Sequence, residues 1–138
     1  DNGLPHPQVT SLFQDKNGRV WVGTGFYNRG GAAVFKAEEQ KWTIETTLVK
    51  EQLAGPKVRS IAQDNHGRLW IGSENHGVAI RDESDLVRIL DDTHGLPGPE
   101  VTKILQTRDG AVWLATLKGM ARIGPETLST LGARGGKL

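Results

Sequence analysis

Asp15 to Thr24 reads DKNGRVWVGT, and two later stretches repeat its plan: Asp64 to Ser73 is DNHGRLWIGS and Thr107 to Thr116 is TRDGAVWLAT. In each, a polar turn with glycine at a fixed place leads into a short apolar run holding one tryptophan and ends on a small polar residue. Glycine reaches positive φ without a Cβ clash, so the turn reads as one closing a β-hairpin, most clearly at Asn17-Gly18. The apolar runs show almost no polar alternation, which marks strands covered on both faces.

Working outward, VTSLF (Val9 to Phe13), VRSIA (Val58 to Ala62) and VTKIL (Val101 to Leu105) precede the turns, and the three copies align from valine to tryptophan without a gap. The tryptophans Trp21, Trp70 and Trp113 recur at a spacing of about 45 residues, within the range of propeller and array repeats. A third strand follows Gly31 (GAAVF), Gly77 (GVAIR) and Gly119 (GMARI). A weaker fourth strand is placed at Lys41 to Thr46 and Leu86 to Leu90, with its counterpart in the last unit around Leu128 to Leu131. Trp42, outside the tryptophan register, is assigned to packing on an outer strand.

Glycine-proline connectors (GLPHPQ, AGPK, GLPGPE) separate the units. The reading is therefore an all-β fold, a β-propeller segment with three blades of four antiparallel strands in one domain. Blade 1 spans about 6–50, blade 2 about 55–92 and blade 3 about 97–132. A β-sandwich is the alternative, and it explains the short strands but not their recurrence. No stretch keeps a helical apolar spacing for three turns, and Ala37 to Gln40 forms at most a turn.

Composition narrows the function classes. The 138 residues hold 17 basic and 16 acidic side chains for a net charge of +1, with no long run of like charge, so electrostatics point to neither nucleic acid nor an anionic membrane. No apolar run approaches the roughly 18 residues of a membrane span. Cysteine is absent, which excludes disulfide and thiol chemistry and leaves the compartment open. The chain opens on Asp1 and its one methionine is Met120, so its natural start is expected to have been removed.

The pattern VTSLFQDKNGRVWVGT followed by GGAAVF, with GLP just before it, resembles the two-component regulator propeller repeat, and all three units keep it from first to third strand. It differs from the WD repeat, since each tryptophan is followed by Val, Ile or Leu. It differs also from the aspartate box, where Lys16 and His66 stand at the acidic place. Streptogramin lyase propellers share a related strand pattern. The third unit departs from the others, with Ala115 for Gly23 and Gly72 and Thr107 for Asp15 and Asp64.

The resemblance implies the extracytoplasmic sensing region of a two-component receptor, hence a periplasmic or extracellular location and a small polar or glycan-derived ligand. Such rings commonly have seven blades. The opening DNGLP resembles THGLP at Thr93 to Pro97, so a preceding blade is expected. The expected partner is a second copy, as a homodimer closing a six-bladed ring, or further blades of a longer chain. No nucleic acid, membrane contact or cofactor is expected in this segment.

A ligand is expected on the face of the connectors and the loops between second and third strands, because those loops differ while the strands repeat. The candidates are Tyr27, Asn28 and Arg29 beside Phe26, then Glu74, Asn75 and His76, then Lys118. Each also reads as an ordinary solvated loop residue. The three repeat tryptophans read as inter-blade core. The four histidines show no ligand-pair spacing, so no metal site is assigned, and Asp15, Asn17 and Gly18 read as turn stabilisers rather than a calcium loop.

His76 with Glu74 is the one neighbouring base and acid on that face, and no nucleophile, carboxylate pair or phosphate loop accompanies it, so no catalytic residue is assigned. The expectation is a non-enzymatic ligand-sensing or binding segment. The alternatives are a lyase-like propeller enzyme fragment and a purely structural oligomerisation module.

Overall fold

The computed structural model describes residues 3–27, 29–49, 52–85 and 87–131. They form three antiparallel sheets laid down in chain order. The first holds β1 (Val9–Gln14), β2 (Val20–Phe26), β3 (Arg29–Glu38) and β4 (Lys41–Leu48) as a simple meander. The second repeats it with β5 (Val58–Gln63), β6 (Leu69–Ser73), β7 (Val78–Arg81) and β8 (Val87–Leu90). The third has three strands, β9 (Val101–Gln106), β10 (Val112–Thr116) and β11 (Gly119–Ile123).

The fourth strand expected around Leu128 to Leu131 is not formed, and a helix, α1 (Pro125–Ser129), stands in its place. Pro125 presets φ at the first helical position and Glu126 meets the positive end of the short helix. Leu128 is fully buried in the cluster between the second and third sheets, and its carbonyl accepts from Arg68 Nη1 at 2.7 Å. Asn28, Leu86 and the tail from Gly132 onward lie outside the described residues.

The sheets stack face to face as propeller blades. Trp21, Val34 and Leu48 of the first pack on Val58, Leu69 and Ile71 of the second. Trp70, Ile80 and Leu90 of the second pack in turn on Val101, Val112 and Leu114 of the third. Trp21 and Trp70 thus face the following blade. Trp113, on the outer face of blade 3, is only partly buried, under the Arg122 guanidinium 5.8 Å from its ring centre. Trp42 lies on β4 and is half-exposed.

First strands adjoin one another at the blade junctions, where Thr10 Oγ1 donates to the Val58 carbonyl and Ser60 Oγ to the Val101 carbonyl at 2.9 Å. This close approach explains the glycines of the second strands. A Cβ on Gly23 would lie 2.6 Å from Val58 Cγ1, and one on Gly72 would lie 2.8 Å from the Val101 carbonyl oxygen.

Candidate functional site

The hairpin between first and second strands is built around one carboxylate. In blade 1 the Asp15 side chain accepts from the backbone N–H of Asn17 and Arg19, from Arg19 Nε at 2.9 Å and from Trp21 Nε1 at 2.9 Å. Asp64 does the same in blade 2 with the N–H groups of His66 and Arg68, Arg68 Nε at 2.7 Å and Trp70 Nε1 at 2.8 Å. Burial acts to raise the Asp15 pKa, but the Trp21 indole, the Arg19 N–H and the Arg19 guanidinium outweigh it and hold the carboxyl below its ordinary value.

The turn reading of Asp15 is right but incomplete, because the same side chain also anchors the tryptophan. The sequence signal was the constant spacing of Asp15 from Trp21 and of Asp64 from Trp70. In blade 3 the work is divided. Thr107 Oγ1 accepts from Trp113 Nε1 at 3.2 Å and donates to Asp109, whose carboxylate also takes the Ala111 N–H and Arg122 Nη2.

The opposite end of the blades carries the loops between second and third strands. Tyr27 is 74% exposed and stands edge-on to Phe26, with ring centroids 4.3 Å apart, and Arg29 follows in the open. Tyr27 itself has φ 55°, the left-handed region, at the tip of the hairpin. Beneath the tip, a Cβ on Gly25 would lie 2.8 Å from Lys57 Cα, and one on Gly30 would lie 2.3 Å from the Pro56 carbonyl. The connector into blade 2 therefore lies directly against the first hairpin.

Glu74 closes this junction. Its carboxylate pairs with Lys57 at 3.0 Å and with Arg59, and its N–H donates to the Lys57 carbonyl at 2.9 Å. The Lys57 hydrogen bond and the two positive charges hold the Glu74 carboxyl below the usual range against the opposing effect of burial. His76 is turned elsewhere: its N–H donates to Ser73 Oγ, and a Cβ on Gly55 would meet its ring Nδ1 at 2.7 Å.

The Glu74–His76 acid and base pair considered from the sequence is not formed among the described contacts. Asn75, His76 and Lys118 are exposed at this end, with Lys118 beside Gly98 of the third connector. The described contacts tie Gly25 to Lys57, Gly30 to Pro56 and Lys57 to Glu74, and do not tie Tyr27 to His76 or Lys118. Asn28 lies outside the described residues.

A cleft of about 490 Å³ lies at the other end, between the first hairpin turns of blades 1 and 2. Its rim is bridged by Lys16 with Glu83 at 2.8 Å and by Arg81 with Asp85 at 2.8 Å, and its floor is the Trp21 ring with Arg19 and Arg81 set over it. Among the described residues no three His, Asp or Glu side chains gather as a metal site, and no helix is long and apolar enough to cross a membrane.

Residues 3–26, 52–75 and 95–118 each match the two-component regulator propeller family, together more than half of the chain. The chain belongs to the two-component regulator propeller family. The matched segments are the three connector-to-hairpin units described above.

Among solved structures, the extracellular domain assigned to the hybrid two-component system BT3049 of B. thetaiotaomicron is 28% identical, with TM-score 0.71 over 91% of this chain and 16% of that one. PorZ, a surface component of the type-IX secretion system of Porphyromonas gingivalis, is 17% identical with TM-score 0.60 over 87% of this chain and 20% of that one. The extracellular domain assigned to BT4673 of B. thetaiotaomicron is 15% identical with TM-score 0.55 over 89% of this chain and 23% of that one. The last two show the fold alone. This chain spans less than a quarter of the length of each of them. Among curated proteins no match is found.

Proposed function

We propose that this chain is a segment of the extracytoplasmic ligand-sensing propeller of a two-component-type receptor, acting by binding rather than by catalysis, in the periplasm or outside the cell. Its outer blades pair with further blades. The family match in all three units and the likeness to an extracellular receptor domain support the receptor reading.

The observation that carries the binding face is the first hairpin tip, where Tyr27 and Phe26 present rings on a backbone clamped from below by the Pro56–Lys57 connector. An exposed aromatic on a fixed scaffold offers a stacking surface for a sugar ring or another flat polar molecule. Arg29, Asn75, His76 and Lys118 supply donors on the same end. Glu74 acts by holding Lys57 and Arg59 rather than by touching ligand.

Amide chemical shifts during titration with an oligosaccharide panel test this. The expected changes fall at Tyr27, Arg29, Asn75, His76 and Lys118 and are absent in Tyr27→Ala. Changes confined to the turns at Asn17, His66 and Asp109, or to the cleft over Trp21, would put the binding face at the wrong end.

A further inference from the structure

At the hairpin-turn end, the two blade junctions inside the chain share one plan and are finished differently. At the first, the N–H of Lys16 donates to Gln63 Oε1 at 2.8 Å, and at the second the N–H of Asn65 donates to Gln106 Oε1 at 2.7 Å. Arg19 and Trp21 on Asp15 correspond to Arg68 and Trp70 on Asp64. Leu69, paired with Gln63, corresponds to Val112, paired with Gln106.

At the second junction the space beside these groups is filled by α1. The buried Leu128 joins the Trp70 cluster, and its carbonyl accepts from Arg68 Nη1 at 2.7 Å. The occupant there is a piece of peptide, offering an apolar side chain to the cluster and a main-chain oxygen to the arginine.

At the first junction the corresponding space is the cleft over Trp21, and both of its walls belong to blades 1 and 2. The turn between β7 and β8 leaves it open. Blade 3 runs from Ile123 through Gly124 and Pro125 into the helix, whereas blade 2 turns back at once, with the Asp85 N–H donating to the Asp82 carbonyl at 3.1 Å. Gly67 therefore lies beside Glu83, as Gly110 lies beside Pro125. Trp21, Val34 and Leu69 still line the cleft, at the places of Trp70, Ile80 and Val112.

What changes at the rim is charge. Arg81 pairs with Leu69 where Ile123 pairs with Val112, and Lys16 stands where the second junction has Asn65. Lys16, Arg19 and Arg81 share the lining with Asp82, Glu83 and Asp85. Lys16 pairs with Glu83 and Arg81 with Asp85, and these two acids are 69% and 73% exposed, so the pairs open at little cost. Arg81 Nε and Nη2 both donate to one oxygen, Asp85 Oδ1, and a carboxylate offering two oxygens would match that fork better. A ligand of one sign would separate these pairs and satisfy only half of the charges. A zwitterion satisfies both halves, its carboxylate on the Arg81 fork and its ammonium on the acids that Arg81 and Lys16 release.

We propose that the cleft over Trp21 binds an apolar amino acid or dipeptide as its zwitterion, in the place that Leu128 takes at the next junction. This site lies at the opposite end of the blades from the loops of the proposed sensing face and uses none of their residues, so failure of either leaves the other standing.

Titration of the isotope-labelled chain with L-leucine and L-leucyl-L-leucine, followed by nuclear magnetic resonance, tests this. Saturable shifts are expected at the Trp21 indole N–H, the Gly67 amide and Arg81 Nε–H, while the Trp70 indole, at the filled junction, stays still. N-acetylleucine and leucine methyl ester each keep one charge and are expected to bind about tenfold more weakly than leucine. Glu83→Gln with Asp85→Asn, both at exposed positions, is expected to weaken leucine about tenfold and to leave N-acetylleucine unchanged. Arg81→Gln is expected to weaken both compounds, with the Trp70 indole reporting that the fold is kept; where it is not kept, the Glu83 and Asp85 variant decides. No saturable shift at Trp21 with either compound, or shifts at Tyr27 and Lys118 alone, would overturn the proposal. So would equal affinities for leucine, its ester and N-acetylleucine, or an unchanged leucine affinity in the Glu83 and Asp85 variant.

Discussion

Asp64 collects four donors on one buried carboxylate, and two of them, the Arg68 guanidinium and the Trp70 indole, are themselves buried. Removing the acceptor strands a buried charge, so Asp64→Ala is expected to cost about 3–5 kcal/mol in urea denaturation. Asp15→Ala should cost less, because Arg19 is about one-third exposed and keeps Glu45 as a partner. Blade 3 offers the pH test. Hydrogen bonds from Thr107 and Ala111, with the Arg122 guanidinium, lower the Asp109 pKa to about 2. A carboxyl depressed by folding stabilises above its unfolded pKa of about 4 and loses that contribution as pH falls through about 2. Asp109→Asn should therefore unfold more easily than the parent at neutral pH, with the difference shrinking between these two values in acid titrations followed by near-UV circular dichroism. The recurrence of Asp15 and Asp64 was legible in the sequence, but their bond to tryptophan was not. It depends on the turn returning the chain so that the first residue of the loop and the second residue of the next strand share a face.

At the scale of elements, eleven strands fell where the alternation of turn glycines and apolar runs placed them, because each is bounded by a turn whose chemistry is local. The expected twelfth failed for an equally local reason. Gly124-Pro125-Glu126 starts a helix, with Pro125 at its first position, and this local signal outweighs the repeat pattern. The resulting helix is packed rather than decorative, so Leu128→Ala should cost about 2–5 kcal/mol. Trp70→Ala should cost about 3–5 kcal/mol, and Trp113→Ala distinctly less, since its outer side faces solvent and Arg122. Equal costs for the two tryptophans in the same denaturation series would contradict the assignment of one to an internal junction and the other to an outer face. The loop residues of the candidate site were legible only as a set. Which of them is clamped and which is open depends on the connector that runs beneath, and the pairing of Glu74 with Lys57 and Arg59 was not legible because both cations come from another segment.

Across the whole molecule, stacked blades make a one-dimensional array in which each unit is stabilised by its neighbours and the middle one has two. Blade 2 is flanked on both sides, and all five residues of β6 are buried. Blades 1 and 3 each have one covered face, and β11 has no buried residue. Hydrogen exchange should follow this order. Amides of β6 are expected to exchange slowest, near the global unfolding limit, while those of β1 and β11 exchange by local opening. Uniform protection across all three blades at low concentration would mean that the outer sheets need no neighbour, and would remove the energetic reason for any blade to dock there.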